Sequence, residues 1–164
     1  MKKYYPFILS LLMLCSVSFV SCSDKDEPKE EQTSIKLTDL PMAAQQFINK
    51  YFRNQTIYRI DKDDLTYMII YSVYFEDCEV TFNEDGEWQQ VAGHYGVSIP
   101  FEILPEPIQA TLNERYPGFG VNQVTRQGSE FVVVLTDNQG GDGLRLIFNQ
   151  SGEIINQSLP NQMG

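Results

Sequence analysis

His94 is the single histidine among 164 residues. A hydrolytic triad or a histidine metal site built within this chain would have to use it. No nucleophile signature such as G-x-S-x-G is present, and His94 sits in a connector rich in small and polar residues. Acidic side chains gather in two places. Asp61, Asp63 and Asp64 form one turn, and Asp137-Asn138-Gln139-Gly140-Gly141-Asp142-Gly143 forms another. Calcium takes several oxygen ligands, but neither run has the D-x-[DN]-x-[DN]-G spacing, and both read as solvated hairpin turns. Cys78 alternates with Val80 and Phe82, the apolar side of a strand, so it reads as a buried structural thiol. No catalytic constellation results. The expectation is a chain that is not an enzyme, with no metal site and no cofactor.

The N-terminus carries a different kind of chemistry. Residues 1–21 read as a secretory signal, with Lys2 and Lys3 before the apolar run Phe7–Val20. That run is short for a membrane span and is interrupted by Ser10, Ser16 and Ser18. Phe19-Val20-Ser21-Cys22 resembles a lipobox, in which small residues precede a cysteine that takes lipid and becomes the new N-terminus. Phe19 is bulkier than the usual leucine there. Cys22 is therefore the expected lipidation site, and residues 22–37 an acidic tether. Ser23-Asp24-Lys25-Asp26-Glu27 reads either as a plain charged tether or as an acidic signal for the outer face of the outer membrane. The expected location is the outer membrane, with the protein facing the periplasm or the cell surface. Cys15 would leave with the signal and Cys22 would carry lipid, so Cys78 has no disulfide partner.

The formal charge is −10, from 12 basic and 22 acidic residues. Removing Lys2 and Lys3 with the signal takes it to −12 (10 − 22). Nucleic acid is excluded as a partner, because phosphate binding needs clustered Lys and Arg. The membrane connection is expected through lipid, and the remaining partner class is protein.

The elements that must position any site come in duplicate. Leu40–Phe52, LPMAAQQFINKYF, returns as Leu104–Tyr116, LPEPIQATLNERY, at an offset of 104 − 40 = 64. Leu, Pro, Gln and Asn recur at Leu40/Leu104, Pro41/Pro105, Gln45/Gln109 and Asn49/Asn113. Ala44, Phe47, Ile48, Tyr51 and Phe52 mark one helical stripe, with Thr38 or Asp39 as cap and Pro41 in the first turn. Strands are expected at Thr56–Asp61, Leu65–Tyr74, Cys78–Asn83 and Trp88–Val91. In the second copy they fall at Val121–Arg126, Glu130–Thr136, Leu144–Asn149 and Ile154–Gln157. Asn83-Glu84-Asp85-Gly86 and Asn149-Gln150-Ser151-Gly152 read as tight turns. The fold class is α+β, built from two tandem helix-plus-four-strand repeats at 38–98 and 99–164 that join edge to edge.

Leu40-Pro41, Phe47-Ile48, Tyr51-Phe52, Tyr67, Phe82-Asn83, Gly86 and Trp88, echoed by Leu104-Pro105, Leu112, Tyr116, Phe131, Phe148-Asn149 and Gly152, resemble a known pattern. It is similar to the PepSY-like, β-lactamase-inhibitor-like family of secreted bacterial proteins, over roughly residues 38–158. Ile154 stands where the second copy would carry Trp. The resemblance implies a curved antiparallel sheet with helices on one face, and binding or inhibition of a partner protein without catalysis.

Strand alternation divides the residues by face. Tyr67, Ile69 and Tyr71, aligned with Phe131, Val133 and Leu135, are expected to face the helices. Met68, Ile70, Ser72 and Tyr74, with Val132 and Val134, point the other way. Such a face is ordinarily polar, and this one carries Met, Tyr and branched apolar residues. Either the connector or tail covers it, or it is a contact surface. On the second reading Met68, Ile70, Tyr74, Val132 and Val134 are the partner-binding residues. The functional expectation is a lipid-anchored envelope protein engaging a protein partner. The alternatives are an inhibitor of an envelope hydrolase of protease or β-lactamase type, or a small-ligand or calcium-binding protein.

Overall fold

The computed structural model describes residues 31–136 and 143–159. Cys22, the signal, most of the tether and the acidic run Asp137–Asp142 lie outside these. The chain enters as a short strand β1 (Glu31–Ser34) and helix α1 (Met42–Tyr51). It continues through β2 (Ile57–Leu65), β3 (Met68–Phe75), β4 (Cys78–Phe82) and β5 (Trp88–Gly93). After a connector come α2 (Glu106–Arg115), β6 (Gly120–Gln127), β7 (Glu130–Thr136), β8 (Leu144–Phe148) and β9 (Ile154–Ser158). The described strands form one antiparallel sheet whose spatial order is the chain order, β1 to β9. The two repeats meet where β5 pairs with β6, Val91 opposite Val124.

Two neighbouring cross-strand rows show why the helices lie on one side. Ile60, Val73, Val80, Val91, Val124, Val133 and Leu146 stand opposite one another from β2 to β8. All are buried in one core with Ala44 and Ile48 of α1 and Ile108 and Leu112 of α2. The next row, one residue along, is Asp61, Ser72, Thr81, Gln90, Thr125, Val132, Ile147 and Asn156. Because side chains alternate between faces, one row removes apolar area from water against both helices and the other does not. At roughly 25 cal/mol per Å², that asymmetry fixes the face on which the helices dock.

The repeated turn chemistry holds each helix to its sheet. Asn83 Oδ1 accepts the backbone N–H groups of Asp85 (3.2 Å) and Glu87 (2.8 Å). Asn149 Oδ1 does the same for Ser151 (3.1 Å) and Glu153 (3.0 Å). Each turn ends in a glycine at positive φ, Gly86 at 79° and Gly152 at 80°. A Cβ on Gly86 would fall 2.7 Å from Pro41 Cβ and one on Gly152 would overlap the Pro107 carbonyl, so glycine lets each turn abut a helix start. Gln45 and Gln109 recur for a matching reason: each Nε2 donates to the carbonyl before its helix, Leu40 at 2.8 Å and Leu104 at 2.7 Å.

Four expectations change. Pro41 and Pro105 occupy the cap positions themselves, without a side-chain cap, and Asp39 instead accepts from the Lys36 N–H at 3.0 Å. Part of the expected tether is strand β1, which pairs Ser34 with Asp61 and Glu31 with Asp64 because β2 offers it a free edge. The acids Asp61, Asp63 and Asp64 are not a turn. They lie inside β2, flanked by β1 and β3, with the reversal at Thr66-Tyr67.

The fourth concerns register. Ile60 opposite Val73 corresponds to Val124 opposite Val133, so the offset is 124 − 60 = 64 before the hairpin and 133 − 73 = 60 after it. The first hairpin is thus four residues longer. It is Tyr71, Val73 and Phe75 that match Phe131, Val133 and Leu135, while Tyr67 stands 94% exposed at the hairpin tip. Val80 matches Leu146 at 146 − 80 = 66, which places six additional residues in the β7–β8 connection.

Candidate protein-docking face

Two rows of side chains cross the sheet on the side away from the helices. The first runs from Asp61 to Asn156 as above. The second is Arg59, Tyr74, Glu79, Ala92, Gln123, Val134, Arg145 and Ser158. Its centre is polar. Gln123 Nε2 donates to Thr125 Oγ1 at 3.2 Å, and Thr125 Oγ1 donates to Gln90 Oε1 at 3.2 Å, tying β6 to β5 across the repeat junction. This chain of amide and hydroxyl groups supplies donors and acceptors without net charge.

The sequence-predicted residues fall on this face in two groups. Val132 and Val134 lie together on β7, with Ile147 opposite Val132 and Arg145 opposite Val134. Val132 is 5% exposed although it lies outside the core that the helices cover. Met68 and Ile70 belong to the other end, where with Thr81, Phe82 and Gln89 they line a depression of about 310 Å³. Met68, on the projecting hairpin, is 54% exposed. Tyr74 lies toward the far end of the same strand β3, between Arg59 and Glu79, and is half-buried. The Arg59 guanidinium sits 4.3 Å above its ring, while Arg59 Nε bonds Asp61 Oδ2 at 2.8 Å. The expected single apolar patch is therefore two apolar ends flanking a polar middle. Sequence reading missed Arg59, Gln90, Gln123, Thr125 and Arg145. Alternation within β2, β5, β6 and β8 could have placed them on this side, but their grouping needs the cross-strand register.

The groups first considered for chemistry lie elsewhere. His94 belongs to the connector, its Nδ1 3.4 Å from Glu76 O and its backbone N–H donating to Asp77 O at 2.7 Å. This pins the connector to the β3–β4 turn. Cys78 is buried, with Sγ 3.6 Å from Gln55 Oε1. Burial, helped by the Asp77 charge, pushes its thiol up to about 11, so little thiolate forms near neutrality. Among the described residues no three His, Cys, Asp or Glu side chains converge on a metal position.

The match with known proteins follows the same lines. The family model for PepSY-like proteins, provisionally described as beta-lactamase-inhibitor-like, matches residues 17–77, which include α1, and 69–156, which include α2. A periplasmic protein of Bacteroides thetaiotaomicron, provisionally described as calcium-regulated, has a crystal structure that superposes with a TM-score of 0.69 at 25% identity. The match covers 77% of this chain and 96% of that one. A periplasmic protein of unknown function from Bacteroides vulgatus gives 0.67 at 26% identity, covering 78% and 99%. A second B. vulgatus periplasmic protein shares the fold, with a TM-score of 0.69 at 21% identity over 78% and 97%. No curated protein matches. The chain belongs to the PepSY-like, beta-lactamase-inhibitor-like family.

Proposed function

We propose that this PepSY-like protein is a non-catalytic binding protein of the cell envelope, held to the outer membrane by lipid on Cys22, that engages a protein partner through the open face of its sheet. The observation that carries the reading is the double row on the face of the sheet opposite the two helices. Two apolar ends flank a neutral hydrogen-bonding centre formed by Gln90, Gln123 and Thr125, which span the repeat junction. Protein interfaces combine apolar cores with satisfied polar groups in this way. An envelope location is supported by the signal-like N-terminus and by the periplasmic description of its structural neighbours.

Inhibition of an envelope hydrolase is the second reading, favoured by the family description. In that case the partner is a protease or β-lactamase whose activity falls on binding. Calcium binding is weaker support for function here. One neighbour is provisionally described as calcium-regulated, whereas in this chain Asp61 is joined to Arg59 and Lys62 Nζ lies 3.5 Å from Asp64.

A photo-reactive residue at Thr125 should crosslink one envelope protein in intact cells, and the same residue at Asn113, on the exposed side of α2, should not. A product that forms equally from both positions, or from neither, overturns the open-face reading. Cys22→Ser should release the protein from membranes, and persistence of the substituted protein in the membrane fraction overturns the anchor.

A further inference from the structure

On the helix side of the sheet a cleft of about 610 Å³ opens between the end of α1 and the start of α2. Neither repeat contains it alone. Lys50 and Tyr51 come from α1, Glu102 and Glu106 from the connector and α2, and Trp88, Arg126 and Phe131 from β5, β6 and β7. Its size is that of small-molecule sites, which run from about 300 to 1,000 Å³.

The floor is aromatic and cationic. Trp88 and Phe131 have ring centroids 6.3 Å apart. The Arg126 guanidinium lies 5.4 Å from the Trp88 ring, and its Nη1 donates to Trp88 O at 3.4 Å. On the wall, Lys50 Nζ stands 4.7 Å over the Tyr51 ring. Neither cation has a carboxylate within 4.0 Å among the described residues, although Glu102 and Glu106 line the same cleft and acids outnumber bases 22 to 12. Arg126 is half-buried and uses one of five N–H donors on a protein acceptor. A guanidinium beside an indole, with N–H donors that no described residue accepts from, can take an incoming carboxylate in bidentate fashion.

We propose that this cleft is a binding site for an aromatic monocarboxylate, free or as the C-terminal residue of a peptide. The carboxylate pairs with Arg126, assisted by Lys50. The ring stacks against Trp88 and Phe131 in the space between the helices. Glu102 and Glu106 repel a second anionic group and so select one negative charge.

Trp88 is the only tryptophan in the chain, so its fluorescence reports on the cleft directly. Titration with N-acetylphenylalanine should give a saturable change, and its amide should need about tenfold more for the same effect, the loss of one charge-assisted contact. Arg126→Gln should abolish that preference. Lys50→Gln, at an exposed position, should reduce it by about threefold and carries the test if Arg126→Gln shifts the unfolding midpoint. A tripeptide ending in phenylalanine that saturates at lower concentration assigns the site to peptide termini, and equal saturation assigns it to the free acid. Equal binding of acid and amide, no saturable change with either, or full preference retained in both variants overturns the proposal. Val134→Asp on the opposite face should leave the titration unchanged while disturbing partner crosslinking, so the two readings fail independently.

Discussion

Phe47 and Thr111 occupy equivalent places in the two helices (111 − 47 = 64), yet they fill the space beneath them by different means. In the first repeat Phe47 meets Phe82 edge-on at 5.6 Å and lies 5.9 Å from Trp88, while Phe52 stacks on Phe75 at 4.9 Å. In the second, Thr111 Oγ1 donates to Gly152 O at 2.7 Å, and Ile154 stands where Trp88 would be. Phe52 is 2% exposed, whereas its counterpart Tyr116 is half-buried and turns edge-on to Phe119 at 6.3 Å. The frame shared by both repeats is the apolar row and the Asn-x-x-Gly turn. The filling between helix and sheet differs in both size and chemistry: where the first repeat packs aromatic rings, the second uses smaller side chains and a hydrogen bond from helix to turn. The difference also places the one tryptophan at the repeat junction, which gives the cleft its floor on one side of the molecule only.

The sharpest way to break this comparison is to empty the two fillings. Phe52→Ala should cost about 3–5 kcal/mol, the usual range for an aromatic removed from a packed core. Tyr116→Ala should cost roughly half of that or less, because its ring already meets solvent. Denaturant midpoints of both variants measure the contrast. Equal losses would mean that both repeats rely on their aromatic cap alike.

The turns should behave as equals instead. Gly86→Ala and Gly152→Ala both force a Cβ into positive φ and against a helix start. Each should cost about 2 kcal/mol or more, since the left-handed conformation alone is worth about 1–2 kcal/mol against a non-glycine residue. Thermal midpoints that fall for only one of the pair would show that the two turns are not equivalent supports.

The reading of strands and turns from sequence succeeded where local chemistry decides. The Asn-x-x-Gly turns and the run Glu130–Thr136 act within a few residues. It failed where a neighbour decides. Glu31–Ser34 has no apolar residue and becomes a strand only because β2 has an open edge. Asp61–Asp64 looks like a turn but is held extended between two strands. The helix offset of 64, carried into β3, overshot by four residues because the hairpin differs in length. Four is even, so every side chain kept its face. The Arg126–Trp88 floor was not legible at all, since nothing in the sequence spacing brings residues 50, 88, 106 and 126 to one place.

Cys78 separates the repeats by chemistry rather than volume, with Leu144 at the equivalent position (144 − 78 = 66). Its thiol is raised from 9.0 to about 11 in the folded chain. Between those values the unfolded thiol ionises first, so the folded state binds more protons and stability falls as pH rises. Well below pH 9 both states keep the proton and the thiol contributes no slope. Unfolding midpoints from pH 8 to 11 should therefore decline more steeply for the natural chain than for Cys78→Ala. Matching slopes would mean that the thiol is already free to ionise in the fold.

The smallest effect is expected at the hairpin tip, and it tests the register itself. Tyr67 is 94% exposed and Tyr71 is 9% exposed, four residues further along the same face. Tyr71 pairs with Phe82 across β4 and belongs to the core, whereas Tyr67 precedes β3 altogether. Removing the Tyr67 ring takes away no buried area, so Tyr67→Ala should change stability by no more than about 0.5 kcal/mol. Tyr71→Ala should open a cavity in the core and cost several times that, about 3 kcal/mol. Paired denaturant titrations distinguish the two. A large loss at Tyr67 would return it to the core and erase the four-residue difference between the hairpins. A negligible loss at both would detach the whole end of β3 from the helix-backed core.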